Sequence, residues 1–145
     1  MKKSFLIILT IIIVILCLIY YKYTEYKNKN NEIKKYNSDY EFLFNKEVTG
    51  IELTSCINKA IDNNEKNKVS KDGNGFYIPN DENGISIEIK ITDLEEEKVF
   101  KMEQIYQNNM VTFLSYYDNI KFKSTDIKYN SKKKVCYLLF EQISN

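Results

Sequence analysis

The side chains that could do chemistry in this sequence are carboxylates, lysines, tyrosines and three cysteines; there is no histidine, arginine or tryptophan. Without histidine the chain lacks the commonest general base and the commonest transition-metal ligand. Without arginine it lacks the planar fork that clamps phosphate. A Ser-His-Asp triad is impossible, and four glycines do not make a phosphate-cradling loop.

Two acidic clusters come closest to a ligand set. Asp72, Asn74, Asn80, Asp81, Glu82 and Asn83 gather around glycines, as oxygen ligands of calcium do. A calcium loop needs oxygens at alternate positions. Counting from Asp72 the fifth position is Phe76, and from Asp81 it is Ile85, so the residues read as hairpin turns. Asp93, Glu95, Glu96 and Glu97 form a charge run that could do acid–base work only in a cleft separating their pKa values; on a turn they are solvated. Lys132, Lys133 and Lys134 form a hairpin tip too short for a nucleic-acid patch. No catalytic residue, metal ligand or cofactor emerges, and the expectation is a non-enzymatic protein.

Of the three cysteines, Cys17 lies in an apolar run. Cys56 and Cys136 fall on an amphipathic helix and an apolar strand. In an exported domain that pair could form a disulfide closing a long loop. The favoured reading is two buried thiols acting as small hydrophobes.

The elements that must position these groups begin with a greasy stretch. Thirteen of the fifteen residues 5–19 are Leu, Ile, Val or Phe. At the bilayer centre they favour insertion by on the order of 4–8 kcal/mol. The uncharged stretch 4–21 spans about 27 Å as a helix, near the thickness of a hydrocarbon core. The other reading is a cleaved signal peptide, with Lys2 and Lys3 as its basic head. No small-x-small site follows, and Ile19, Tyr20, Tyr21 and Tyr23 are too bulky for one. Leu16 before Cys17 argues against a lipidated cysteine. The expectation is a single-pass anchor at the cell membrane, with lipid as a partner through residues 4–21. Five lysines at 22–35 favour an N-out count. The lysines abutting the run, and the long domain behind it, favour a C-terminal domain that is extracytoplasmic, and that is the side expected.

Two of the 21 lysines precede the run, leaving 19 against 20 acidic residues, so the balance gives no sign of a nucleic-acid partner. Abundant Lys, Asn, Ile and Tyr fit an AT-rich bacterial genome. The expected organisation is an anchor at 1–21, a polar stalk at 22–31 and one α+β domain at 32–145. Its length suits one domain of ordinary size.

In the stalk, Glu25 and Lys29 are spaced to support a helix, while Asn28, Asn30 and Asn31 argue against a firm one. Ile33, Tyr36, Tyr40, Leu43 and Phe44 line one helical face. That face is expected to pack on the core; the sharper alternative makes it the contact for a partner subunit. Thr49 and Glu52 form a candidate capping box for a helix reaching about residue 64, with Leu53, Cys56, Ile57, Ala60 and Ile61 inward. The period then changes from 3.6 to 2. Residues 76–78 read as a short strand, and residues 85–92 as a strand with Ile85, Ile87, Ile89 and Ile91 on one face. A return strand is expected at 99–101 and a third helix at 102–117. A strand at 120–129 carries a bulge near Ser124, and an apolar central strand covers 135–140. The sum is α+β: a transmembrane helix, a helical stalk, and a small antiparallel sheet packed with two or three helices.

A basic N-terminus at Lys2 and Lys3, one apolar helix, a helical extension and an α+β head resemble a type IV pilin or pseudopilin. The resemblance is one of architecture. Those families carry glycine before a Phe-like residue, where this chain has Ser4 before Phe5, and a glutamate in the apolar helix, where it has Leu9. The stretch GIELTSCINKAIDNNEKN is similar to small, N-terminally anchored proteins of Gram-positive bacteria, a likeness that implies no activity. Together these features imply an envelope protein whose anchored domain binds other membrane or envelope proteins, in a pilin-like or secretion assembly. The alternative is a domain that senses a small ligand or ion outside the cytoplasm.

Overall fold

The computed structural model describes residues 2–78, 83–93, 96–107 and 110–143. The chain divides into two compact units, Met1–Lys35 and Tyr36–Asn145.

The first unit is built from most of one long helix, α1 (Lys2–Glu41). The apolar side chains of residues 5–19 are uncovered, from 45 % exposed at Leu9 to 66 % at Phe5. The hydroxyl of Thr10 donates back to the carbonyls of Leu6 and Ile7 at 3.0 and 2.8 Å, so the polar group within the greasy stretch is satisfied inside its own helix. The Asn-rich stretch expected to loosen the helix stays helical. A Lys22–Glu25 ion pair one turn apart supports it, and Thr24 bonds back to Tyr20 and Tyr21.

The second unit begins with the last turn and a half of α1 and is a two-layer α+β domain. Its elements are β1 (Glu47–Thr49), α2 (Gly50–Lys66), β2 (Ser86–Asp93), β3 (Glu96–Lys101), α3 (Met102–Gln107), α4 (Met110–Tyr117), β4 (Lys121–Tyr129) and β5 (Val135–Gln142). The five strands lie in the order β1-β4-β5-β2-β3. The sheet is mixed rather than antiparallel as expected: β2 and β5 run parallel, with Ile87 beside Leu138 and Ile89 beside Phe140. Parallel neighbours need a long crossover. Here β3, α3, α4 and β4 supply it, and no local pattern in β2 announces that distant partner.

One face of the sheet is the core. Val48, Phe122, Leu138, Phe140, Ile87 and Ile89 are buried there with Leu53, Ile57, Ala60 and Ile61 of α2 and Met102 and Ile105 of α3. The other face is solvated and carries charges of both signs. Lys90 bridges Glu97 and Glu141 at 2.8 and 3.5 Å, and Tyr137 donates to Glu88 at 2.8 Å. The bulge expected near Ser124 lies between Ser124 and Asp126.

The capping box forms: Thr49 Oγ1 accepts from Glu52 N–H while the Glu52 carboxylate accepts from Thr49 N–H. That backbone bond holds the Glu52 carboxyl below its ordinary pKa. Gly50 is required next to it, because a Cβ there would collide with the Tyr117 carbonyl oxygen at the end of α4.

Several expectations are corrected. Residues 76–78 make no strand; Tyr77 forms an isolated bridge with Lys71, and Asp72 Oδ1 folds the preceding turn by accepting from Asn74 and Phe76 N–H. Of the second expected turn, Asn80 to Gly84, residues 80–82 lie outside the described residues. The third helix is seen as α3 and α4 on either side of residues 108 and 109, which lie outside the described residues, and α4 buries none of its residues fully. The short edge strand β1 was not anticipated, since Val48 is its one apolar residue.

Candidate functional site

Among the described residues, two grooves and one strand edge are places where the second unit could meet something else. The first groove lies on the core face beneath β2 and β3, where α3 and α4 leave the sheet edge partly open. It is about 160 Å³ and is lined by Ile91, Phe100, Gln104, Ile105, Thr112, Phe113, Tyr116 and Tyr117. Its walls are aromatic: Phe113 and Tyr117 stack at 4.9 Å, and both approach Phe122. Among the described residues no carboxylate, lysine or thiol lines it, which suits it to hold apolar surface rather than to move protons. Tyr116, at its wall, is 73 % exposed, and Val111 elsewhere on α4 is 70 % exposed.

The second groove, about 260 Å³, runs between residues 39–46 and α2. Phe42, Leu43 and Ile51 give it an apolar floor, the Asp39–Lys59 ion pair at 2.6 Å sits at its rim, and Lys46 lies over the Phe42 ring. The Cys56 thiol is at its wall, and burial pushes that thiol up to about 12. A thiol so raised is protonated at neutral pH and is no nucleophile.

The stripe proposed as a partner contact is divided by the structure. Tyr40 and Leu43 are buried in the core, with Tyr36 packed against it. Tyr36 and Tyr40 stack at 5.3 Å, and the Tyr36 hydroxyl donates to the Val135 carbonyl at 3.1 Å. Burial raises the pKa of both phenols. Phe44 is 37 % exposed and forms an isolated bridge with Ser124. Ile33 belongs to the first unit and is half-buried. The expectation that this face packs on the core describes Tyr40 and Leu43, while Phe44, beyond the end of α1, does not share it.

Cys17, Cys56 and Cys136 are free thiols. Cys56 lies near Tyr40 and Cys136 near Tyr36, whose rings are stacked on each other. In the structure Cys56 is a buried free thiol and Cys136 a half-buried one. Cys136 donates weakly to the Lys128 carbonyl at 3.5 Å.

Three polar residues that composition hid organise the fold around these places. Asn64 is fully buried at the end of α2; its amide donates to Ile85 C=O at 2.7 Å and accepts from Ile85 N–H at 2.9 Å. Asn37 repeats the device on the β4–β5 hairpin, donating to Lys133 C=O and accepting from Val135 N–H. Each amide stands in for a strand neighbour, satisfying one donor and one acceptor. Their signal was present: both fall in phase with an apolar helical stripe. Asn-rich composition obscured it. Glu103, 3 % exposed, accepts from Tyr77 N–H through one oxygen, and its other oxygen has no hydrogen-bond partner. It pins the segment before β2 to the start of α3.

Among the described residues no group of three or more Cys, Asp or Glu side chains converges as a metal site would require. Comparison of the chain with family models, with curated proteins and with solved structures finds no match.

Proposed function

We propose that this chain is a single-pass, membrane-anchored protein of the bacterial cell envelope whose second unit is a non-catalytic interaction domain. The observation that carries the reading is the greasy stretch of α1. It is long enough to cross a bilayer, none of it is buried against protein, and its hydroxyl is satisfied within the helix. Lipid is the solvent that suits such a surface, because a bilayer tolerates only backbone and side chains whose polar groups are internally paired. Tyr20, Tyr21, Tyr23 and Tyr26, all well exposed, follow it as an interfacial belt would.

An interaction role fits the domain better than chemistry. Its aromatic-walled groove sits beside the sheet edge and α4, and aromatic residues are what partner surfaces are enriched in. A pilin-like or secretion assembly is the setting that architecture suggests. The alternative, sensing of a small ligand outside the cytoplasm, draws on the second groove, where an ion pair borders an apolar floor. At about 260 Å³ it falls short of the usual ligand pocket.

The test is membrane fractionation of the untagged full-length chain with carbonate washing, together with labelling of Asn30→Cys by an impermeant thiol reagent in intact cells. A carbonate-resistant chain labelled from outside is expected. A chain recovered free of membranes, or a mature form starting beyond the apolar run, overturns the reading.

A further inference from the structure

We propose that the domain pairs with a second copy of itself through β3, edge to edge and antiparallel, about a two-fold axis at Val99. The proposal rests on the reading above and names the partner.

β3 is the outermost strand, and its ladder partner among the described residues is β2 alone. An edge strand turns unpaired N–H and C=O groups outward and is a template for another strand. The direction of the backbone can be read at one residue. Lys101 N–H is given to Gln104 Oε1 at 2.8 Å rather than to β2. Because the outward groups alternate along a strand, Glu97, Val99 and Lys101 are the residues facing out. Their side chains share the solvated face of the sheet with Glu88 and Lys90.

That row reads acid, apolar, base. A two-fold axis at Val99 sets Val99 opposite Val99 and Glu97 opposite Lys101 of the other copy, twice. Across the axis the two Val99 residues can exchange both backbone hydrogen bonds, while at the Glu97–Lys101 pairs the side chains carry the contact, because Lys101 N–H is already given to Gln104 Oε1. Opposite charges facing across strands favour pairing and like charges oppose it. Sliding the register by two residues in either direction breaks both ion pairs. Sliding by four sets glutamate against glutamate or lysine against lysine. Charges that blunt a sheet edge against general pairing here permit one register.

The surroundings agree. Val99, 53 % exposed, stands at the centre. The core face beside β3 is the partly open one, so a second strand would extend the sheet over the apolar groove at Phe100. Glu97 holds Lys90 through one carboxylate oxygen and keeps a second; the Lys101 ammonium lies 4.6 Å over the Phe76 ring and would be shared. The opposite edge strand, β1, is three residues long and offers no comparable row. Tethering to one bilayer raises the effective concentration of the two edges.

The experiment uses the full-length chain in its membranes, with Cys17→Ser and Cys136→Ser; buried Cys56 is kept. Val99→Cys is treated with a short bis-maleimide, and Glu47→Cys on β1 serves as the comparison. Val99→Cys should give a cross-linked dimer and Glu47→Cys should not. Adding Glu97→Lys should lower the yield about fivefold or more, by placing lysine opposite lysine, and Glu97→Lys with Lys101→Glu should restore it. No dimer at Val99→Cys, an equal yield at Glu47→Cys, or a yield indifferent to the charge changes overturns the pairing. Carbonate washing of the same membranes reports separately. A pelleted chain that does not cross-link loses the pairing and keeps the anchor, and a cross-linked chain that washes free loses the anchor and keeps the pairing.

Discussion

Asn64 is buried without exposure, and both faces of its amide are used on one residue, Ile85. Asn64→Leu keeps the branched shape and heavy-atom count but strands a backbone donor and an acceptor in the core, which should destabilise the domain by on the order of 2–3 kcal/mol. Thermal unfolding of the detergent-solubilised chain, followed by far-UV circular dichroism, should show the melting temperature fall. An unchanged melt would mean water reaches Ile85. Buried acids set a second expectation. Burial raises the pKa of Cys56, Tyr36, Tyr40 and Tyr137, the last also through its bond to Glu88. Each is neutral when protonated, and folding favours that form. Their contribution is therefore complete below the unfolded-state values, about 8.5 for Cys and about 10 for Tyr, and is lost as pH climbs toward the folded ones. Above about pH 9 the domain should lose stability, and the buried phenols should ionise in step with loss of near-UV circular dichroism. Tyrosinate absorbance that rises fully before the fold is lost would contradict this.

At the scale of elements, the start of α2 is the most constrained join. Thr49 and Glu52 cap it, Gly50 N–H donates to Ile120 C=O at 3.1 Å, and the end of α4 closes over the Gly50 Cα. Thr49→Ala should cost about 1 kcal/mol by freeing first-turn N–H groups. Gly50→Ala should cost about 1–3 kcal/mol by overpacking, although alanine is the better helix former. Comparing the two melts separates capping from collision, and a Gly50→Ala chain as stable as the parent would show that α4 can yield. On α4, Met110, Phe113 and Tyr117 pack against the core, and Val111 and Tyr116, off that stripe, are uncovered.

For the molecule as a whole, attachment to lipid should depend on the centre of the greasy stretch. Ile12→Lys with Ile13→Lys adds on the order of 5–7 kcal/mol to an insertion worth on the order of 4–8. The carbonate-resistant fraction should fall sharply, and a doubly substituted chain still fully pelleted would mean that something other than this helix holds it. The proposed pairing of β3 edges places two domains on one continuous sheet.

Local rules carried much of the fold. The period-two isoleucines of β2, the capping box, the bulge near Ser124 and the long apolar helix all follow from residues close in sequence, because side-chain period and turn chemistry act over a few residues. Three matters were left to tertiary structure. The parallel pairing of β2 with β5 joins strands about fifty residues apart, and nothing in either strand encodes which neighbour it takes. The burial of Asn37 and Asn64 depends on where lone backbone groups end up after the sheet is assembled. Which strand is left at the edge, and hence whether Glu97, Val99 and Lys101 form a surface or an interior row, is decided only when the strand order is complete, since an edge is a property of the sheet and not of the strand.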